Sequence, residues 1–331
     1  MKSKDARFAA TTLAILCAVS LMGAASRADE AIHPAPVTAT VTKTPPGYTL
    51  PPPATSPELL PALSGAQIVH IKLALIDKAV DIGGGRKYQA WTFNGTVPGP
   101  VLHARVGDTL EVELTNTATM GHSIDFHAEL GPNQVAYQTI APGETLRFKV
   151  PVYYPGVFLY HCGSEPVLLH IANGMYGALI VDPRNGWGPG QNFVLVQSEF
   201  YTQPVPGHPD LLRGDLTRMM HGVADVVAFN GEALRYMDNP LSVDVNRTVR
   251  VFLVNAGPNH ISAFHVIGTI FQRVFEDGNP RNVTVGRQTV AVPPGGGAIV
   301  EMMLYQKGRY TFVTHALGDS TLGAMGRFIA H

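Results

Sequence analysis

Short strand-like runs broken by turn residues make up most of this chain. Leu110-Glu-Val-Glu-Leu114 and Arg250-Val-Phe-Leu-Val254 read as short strands, each presenting alternate side chains to one face. The turns between such runs fall at the spacing of a Greek-key sandwich. No long stretch carries the 3.6-residue period of a helix, and short helices are expected only in loops, for example near Pro209-Asp-Leu-Leu212. The expected fold is therefore all-β.

The same pattern occurs twice. Thr92-Phe-Asn-Gly95 recurs as Ala228-Phe-Asn-Gly231, Val106–Asn116 recurs as Val245–Asn255, and Gly156-Val-Phe-Leu-Tyr160 recurs as Gly308-Arg-Tyr-Thr-Phe312. Ala141-Pro-Gly143 matches Pro293-Pro-Gly295, and Ile124-Asp-Phe-His127 matches Ser262-Ala-Phe-His265. Each copy spans about 120 to 140 residues, an ordinary domain size. Two tandem β-sandwich domains are expected, over residues 65–185 and 186–331.

Composition agrees with this picture and narrows it. The 331 residues include 34 Gly and 26 Pro but only 15% charged residues, with a formal net charge of −1, which is the profile of a strand-and-turn protein. No run of Lys or Arg is present, so nucleic acid is not an expected partner. Residues 1–28 read as an export signal: Lys2, Lys4 and Arg7 precede an apolar segment from Phe8 to Gly23, and Ser26-Arg27-Ala28 forms a small-x-small cleavage site. The apolar run is short and alanine-rich, so no membrane span is expected in the mature chain, and the expected compartment is the periplasm. Residues 29–64, with Pro45-Pro46 and Pro51-Pro52-Pro53, are expected to form an extended linker or surface-draped tail without chemistry.

Removal of that signal leaves Cys162 as the only cysteine, so it has no partner for an internal disulfide. His170 follows eight residues later, Met175 five after that, and His122 lies upstream. A thiolate, two imidazoles and a thioether are the donors of a trigonal copper site with a weak axial sulfur. Strand parity then predicts a second site. Neighbours His161 and Cys162 point to opposite faces, as do His122 and His127, whereas Asp125 and His127 share a face. If His122 and Cys162 look into a sandwich core, then His127, His161 and Asp125 look out of it together. The second copy reads Val313-Thr314 where the first has His161-Cys162. It retains His265, read from the repeat as the counterpart of His127, and His315, one residue past the cysteine position. Two retained histidines without their own site are most simply explained if they complete a site shared with another domain.

Over nearly all of its mature length the chain resembles the copper-containing nitrite reductases. The resemblance rests on Phe93-Asn-Gly-Thr-Val-Pro-Gly-Pro100, His122-Ser-Ile-Asp-Phe-His127, Tyr160-His-Cys162, His170-Ile-Ala-Asn-Gly-Met175, Ser198-Glu-Phe-Tyr-Thr-Gln203, Phe264-His-Val-Ile-Gly268 and Val313-Thr-His315. It implies two cupredoxin-like domains and two copper ions per chain. His122, Cys162, His170 and Met175 would bind a type 1 copper that accepts an electron. His127 and His161, with His315 from the neighbouring subunit of a homotrimer, would bind a type 2 copper where nitrite sits. Asp125 and His265 would deliver protons, and Ile267 would limit sterically how nitrite binds. A small periplasmic cytochrome c or blue copper protein would supply the electron. The leucine preceding His170 departs from relatives that carry methionine or tryptophan nearby, which bears on the tuning of the type 1 site.

Plainer readings exist for some of these residues. Asp125 could cap a loop, His265 could be a buried hydrogen-bonded histidine, and Met219-Met220-His221 is expected to be a packed or mobile loop, not a metal site. A laccase-like oxidase would need repeated His-x-His pairs, and no two of the 13 histidines are spaced by two. A pure electron carrier would need only one copper and would leave His265 and His315 idle.

Overall fold

In the computed structural model, residue 34 and residues 36–53, 56–132 and 137–331 are described. The expected signal at 1–28 lies outside them. The described residues are predominantly strand. No helix among them is long and apolar enough to cross a membrane.

The architecture is two β-sandwiches in tandem. The first sets a seven-stranded sheet, including Ile68–Asp81, Thr109–Asn116 and Glu144–Pro151, against a four-stranded sheet of Leu102–Arg105, Tyr176–Asp182, Gly156–His161 and Asp125–Phe126. Leu110, Val112, Leu114, Leu146 and Phe148 from one sheet pack on Phe126, Tyr160, Leu179 and Val181 from the other, and Cys162 and Met175 belong to this core. The second sandwich pairs a six-stranded with a five-stranded sheet around Val249, Val251, Leu253, Phe264, Phe312 and Phe328.

A third core joins the two sandwiches. Val157 and Leu159 on the outer face of Gly156–His161, with Tyr176, Ala178 and Ile180, pack on Val194, Val196, Phe252, Val254 and Ile299 of the second domain. Each Val, Leu, Ile or Phe among them contributes roughly 1.5–3 kcal/mol on burial, which makes this layer a firm platform. It also explains the placement of the key pair: residues 157, 159 and 161 face the second domain, and Tyr160 and Cys162 face the first domain's own core.

The duplication extends to side-chain hydrogen bonds. Asn94 and Asn230 both adopt left-handed φ, 56° and 57°, each followed by a left-handed glycine, as a two-residue hairpin turn requires. Asn94 Oδ1 accepts from Ala74 N–H and Asn230 Oδ1 from Val196 N–H, both at 2.7 Å. Asn116 donates to Met120 O and Ile140 O, and Asn255 donates in the same way to His260 O and Val292 O.

The strand register corrects one equivalence. Asp125 pairs with His161 in the first domain, and His265 pairs with Val313 in the second. Ser123 N–H donates to Cys162 Sγ, and Ala263 N–H to Thr314 Oγ1. His265 therefore occupies the place of Asp125, not of His127, and Ile267 stands where His127 does: His127 N–H donates to Leu159 O, and Ile267 N–H to Thr311 O. A slip of two residues leaves every side chain on its original face, so alternation alone cannot detect it.

One further segment differs from expectation, and the surface-draped tail contributes a strand. Within the proline-rich tail, Ala39–Lys43 pairs antiparallel with Glu144–Pro151 as an edge strand; it is held by main-chain bonds and needs no apolar pattern. The helix expected near Pro209–Leu212 is instead the strand His208–Gly214, which pairs with Thr202–Val205 and extends the first domain's sheet alongside Lys87–Phe93. A short helix does occur just beyond it, Leu216–His221, capped by the Asp215 side chain. Its Met219 is buried against Tyr201 and Ala172, and the His221 ring bonds Thr217 O.

Candidate metal centres

His122, Cys162 and His170 converge in the first domain's core. His122 is fixed by reciprocal backbone bonds with Ile140, Cys162 follows the strand Gly156–His161, and His170 lies in the short helix Val167–Ala172. Their ligand atoms lie within 4.8 Å of one another. The two Nδ1 atoms are 3.0 Å apart, and Cys162 Sγ is 3.3 Å from His170 Nδ1 and 3.9 Å from His122 Nδ1. Met175 is fully buried in the same core, and its carbonyl accepts the Cys162 N–H at 3.0 Å.

Electrostatics favour metal-ready ligands here. Burial, together with the charge His170 would carry, pushes the His122 pKa down to about 4, and burial does the same to His170. Both imidazoles are thus neutral at pH 7, as ligation requires. Sequence reasoning missed two supports of this site. Ser123 N–H donates to Cys162 Sγ at 3.3 Å, and Trp91 packs on both rings, at 4.8 Å from His170 and 5.5 Å from His122.

Behind the Cys162–His161 peptide lies the second cluster, Asp125, His127 and His161. His161 Nδ1–H donates to Cys162 O at 2.9 Å, and His127 Nδ1–H to Gly295 O at 3.0 Å. Each bond commits one ring nitrogen and leaves Nε2 free, and the two Nε2 atoms stand 3.1 Å apart. The Asp125 carboxylate is 3.4 Å from His161 Nε2 and 3.9 Å from His127 Nε2. Burial lowers the His161 pKa and keeps that ring neutral. Two imidazoles locked by backbone carbonyls and aimed at one point fit a borderline metal ion. Gly295 was visible in the sequence only as the repeat partner of Gly143, and its carbonyl's role in orienting His127 was missed. Glu129 was also missed: burial and the nearby Asp125 charge raise its pKa to about 7.

The remaining predicted residues sit on the second domain. His265 Nδ1–H donates to Gln288 O at 2.6 Å, and its ring lies 5.5 Å from that of His315. Neither belongs to the Asp125–His127–His161 cluster. His315 is exposed, and Ile267 is 54% exposed. One chain thus carries two separate sets, a carboxylate with two histidines on the first domain and a histidine pair on the second.

Comparison with known proteins places this arrangement in a family. Multicopper oxidase family models match residues 76–186 and 202–331. A copper-containing nitrite reductase of Neisseria meningitidis serogroup A is 38% identical over 280 residues, covering 82% of this chain and 72% of that protein. The chain belongs to the copper-containing nitrite reductases. Another family member, from Alcaligenes xylosoxydans xylosoxydans, is 32% identical over 301 residues, covering 82% of this chain and 89% of its own length. The solved copper nitrite reductase of Nitrosomonas europaea superposes with a TM-score of 0.74 at 36% identity, over 80% of this chain and 94% of that one. Family membership disfavours both the carrier and the laccase-like readings.

Proposed function

We propose that this chain catalyses the one-electron reduction of nitrite, NO2− + e− + 2H+ → NO + H2O, with one type 1 and one type 2 copper per chain. The observation that carries this reading is the back-to-back placement of two different donor sets. A buried cysteine and two imidazoles lie on one side of the Cys162–His161 peptide, and two imidazoles with a carboxylate lie on the other. His122, Cys162, His170 and Met175 would hold the first copper, and His127 and His161, with His315 of the partner subunit, the second. When bound, the coppers supply one-electron redox chemistry and an open position for a small anion.

The chain's own residues do the rest. The peptide between Cys162 and His161 links the two donor sets covalently. Asp125, beside the converging Nε2 atoms, is placed to pass a proton to the departing oxygen of nitrite. His265, with Nδ1 committed to Gln288 O, has Nε2 available to relay a second proton, and Ile267 restricts the poses open to the anion. The two separated histidine sets support a homotrimer: His265 and His315 lie near exposed Ile261, Ile267 and Leu317, an apolar rim suited to a neighbouring first domain. We assign the protein to the periplasm, with a small cytochrome c or blue copper protein as electron donor.

The test is anaerobic nitrite turnover with a reduced dye, read as nitric oxide release, beside copper analysis and an electron paramagnetic resonance spectrum. Two coppers of distinct type with turnover support the enzyme. One copper per chain without turnover would leave an electron carrier.

A further inference from the structure

His260 lies in the segment joining the strands Thr248–Gly257 and Ser262–Val266, five residues before His265. Its Nδ1 is 2.9 Å from Asp319 Oδ1, and its Nε2 is 2.9 Å from Gly222 O. Both ring nitrogens face acceptors, so only the doubly protonated imidazolium satisfies both. The backbone joins in: His260 N–H donates to Glu199 Oε1 at 2.7 Å, and His260 O accepts from Asn255. Glu199 is itself buried, and Tyr201 OH donates to it.

Asp319 belongs to the helix Leu317–Thr321, which begins two residues after His315. That helix has five residues and no side-chain N-cap, too short to hold its shape alone. His315 to Gly318 are exposed, and the chain turns inward only at Asp319 and Ser320. The inward anchors are the Asp319–His260 pair and the Ser320 hydroxyl donating to Thr314 O. The strand ladder already joins the two arms up to His315, whose N–H donates to Ala263 O at 2.6 Å; the ion pair adds a second tie, between the loop before His265 and the helix after His315.

We propose that His260, through Asp319, is a positioning residue that holds His315 where a neighbouring subunit's His127 and His161 can share a ligand with it. The proposal rests on the two-copper reading above. The titratable groups acting on His260 are Asp319 and Glu199, and Glu199 in turn accepts from Tyr201 OH. The Asp319 hydrogen bond is the largest cause of a His260 pKa raised to about 9, with the Glu199 charge adding to it. A raised histidine pKa gives stability that is fully present below the unfolded value near 6.5 and is lost as pH rises through about 9.

The experiment compares the wild type with His260→Leu, Asp319→Asn and the double variant. Copper titration of the copper-free proteins should show affinity for the second copper reduced about 10- to 100-fold, as loss of an outer support does, with the first copper unaffected. Hydrogen exchange across residues 317–323, measured without copper, should accelerate in each variant, and the double variant should be no worse than either single one. The difference in thermal stability between wild type and His260→Leu should shrink as pH rises through about 9. Unchanged exchange would overturn the latch. Accelerated exchange with unaltered affinity for the second copper would overturn its positioning role. A wild type that binds only one copper would instead sink the two-copper reading, and this proposal with it, whatever the exchange shows.

Discussion

The Nε2 atoms of His127 and His161 stand 3.1 Å apart because two backbone carbonyls, Gly295 O and Cys162 O, hold the opposite ring nitrogens. One carbonyl is local and the other comes from the second domain. The pair is therefore aimed by the docking of the two sandwiches as much as by the strand that carries His161.

Gly295→Ala tests that dependence. Gly295 has φ +81°, and a Cβ there would sit 3.2 Å from His127 Cε1. The left-handed backbone costs a non-glycine residue roughly 1–2 kcal/mol, and the methyl group pushes on the ring it should orient. The variant is expected to keep the first copper and lose most of the second, measured as copper per chain and as loss of the type 2 resonance signal.

Asp125→Asn and His265→Ala separate proton delivery from metal binding. Both variants should retain two coppers and lose on the order of 10²- to 10⁴-fold in nitrite turnover, the usual contribution of a positioned acid or base. Full activity in either variant removes that residue from the mechanism.

Cys162→Ala divides the two sites. The Cys162 sulfur lies in the first cluster and takes no part in the second, where only the Cys162 carbonyl acts. The variant should lose the visible thiolate-to-copper absorption while the second copper binds as before. Steady-state turnover with a protein donor should vanish.

In the copper-free protein, His122 and His170 have pKa values lowered to about 4 from an ordinary value near 6.5. Above pH 6.5 both rings are neutral whether the chain is folded or not, and stability does not depend on them. As pH falls from 6.5 toward 4 the unfolded chain takes up protons that the folded one refuses. Stability then falls by a few kcal/mol, since each tenfold difference in proton affinity between the two states is worth about 1.4 kcal/mol. Urea midpoints of the copper-free protein should drop over this window, and replacing His122 with Gln should flatten the decline.

Much of the first centre was legible in the sequence. Donor chemistry chose Cys162, His122, His170 and Met175, and the period of two separated His161 from Cys162. The relation between the domains was less legible. The repeated Phe-His pair aligned His265 with His127, two residues out of register; Asp125 and His127 share a face, so no alternation rule could tell them apart. The strand Ala39–Lys43 was invisible because four of its five side chains are exposed and its pairing with Glu144–Pro151 runs through the main chain. The segment Pro209–Leu212 became a strand because the edge of Lys87–Phe93 was there to receive it.

By itself the sequence determined which atoms could bind metal and on which side of a strand each would emerge, because both follow from residue type and local period. Only the tertiary structure decided that His127 is oriented by a carbonyl 168 residues away. It also decided that His265 stands in the place of Asp125, and that His315 pairs with His265 apart from the chain's own His127. Those outcomes depend on how two sandwiches pack and on cross-strand register, which no local pattern encodes.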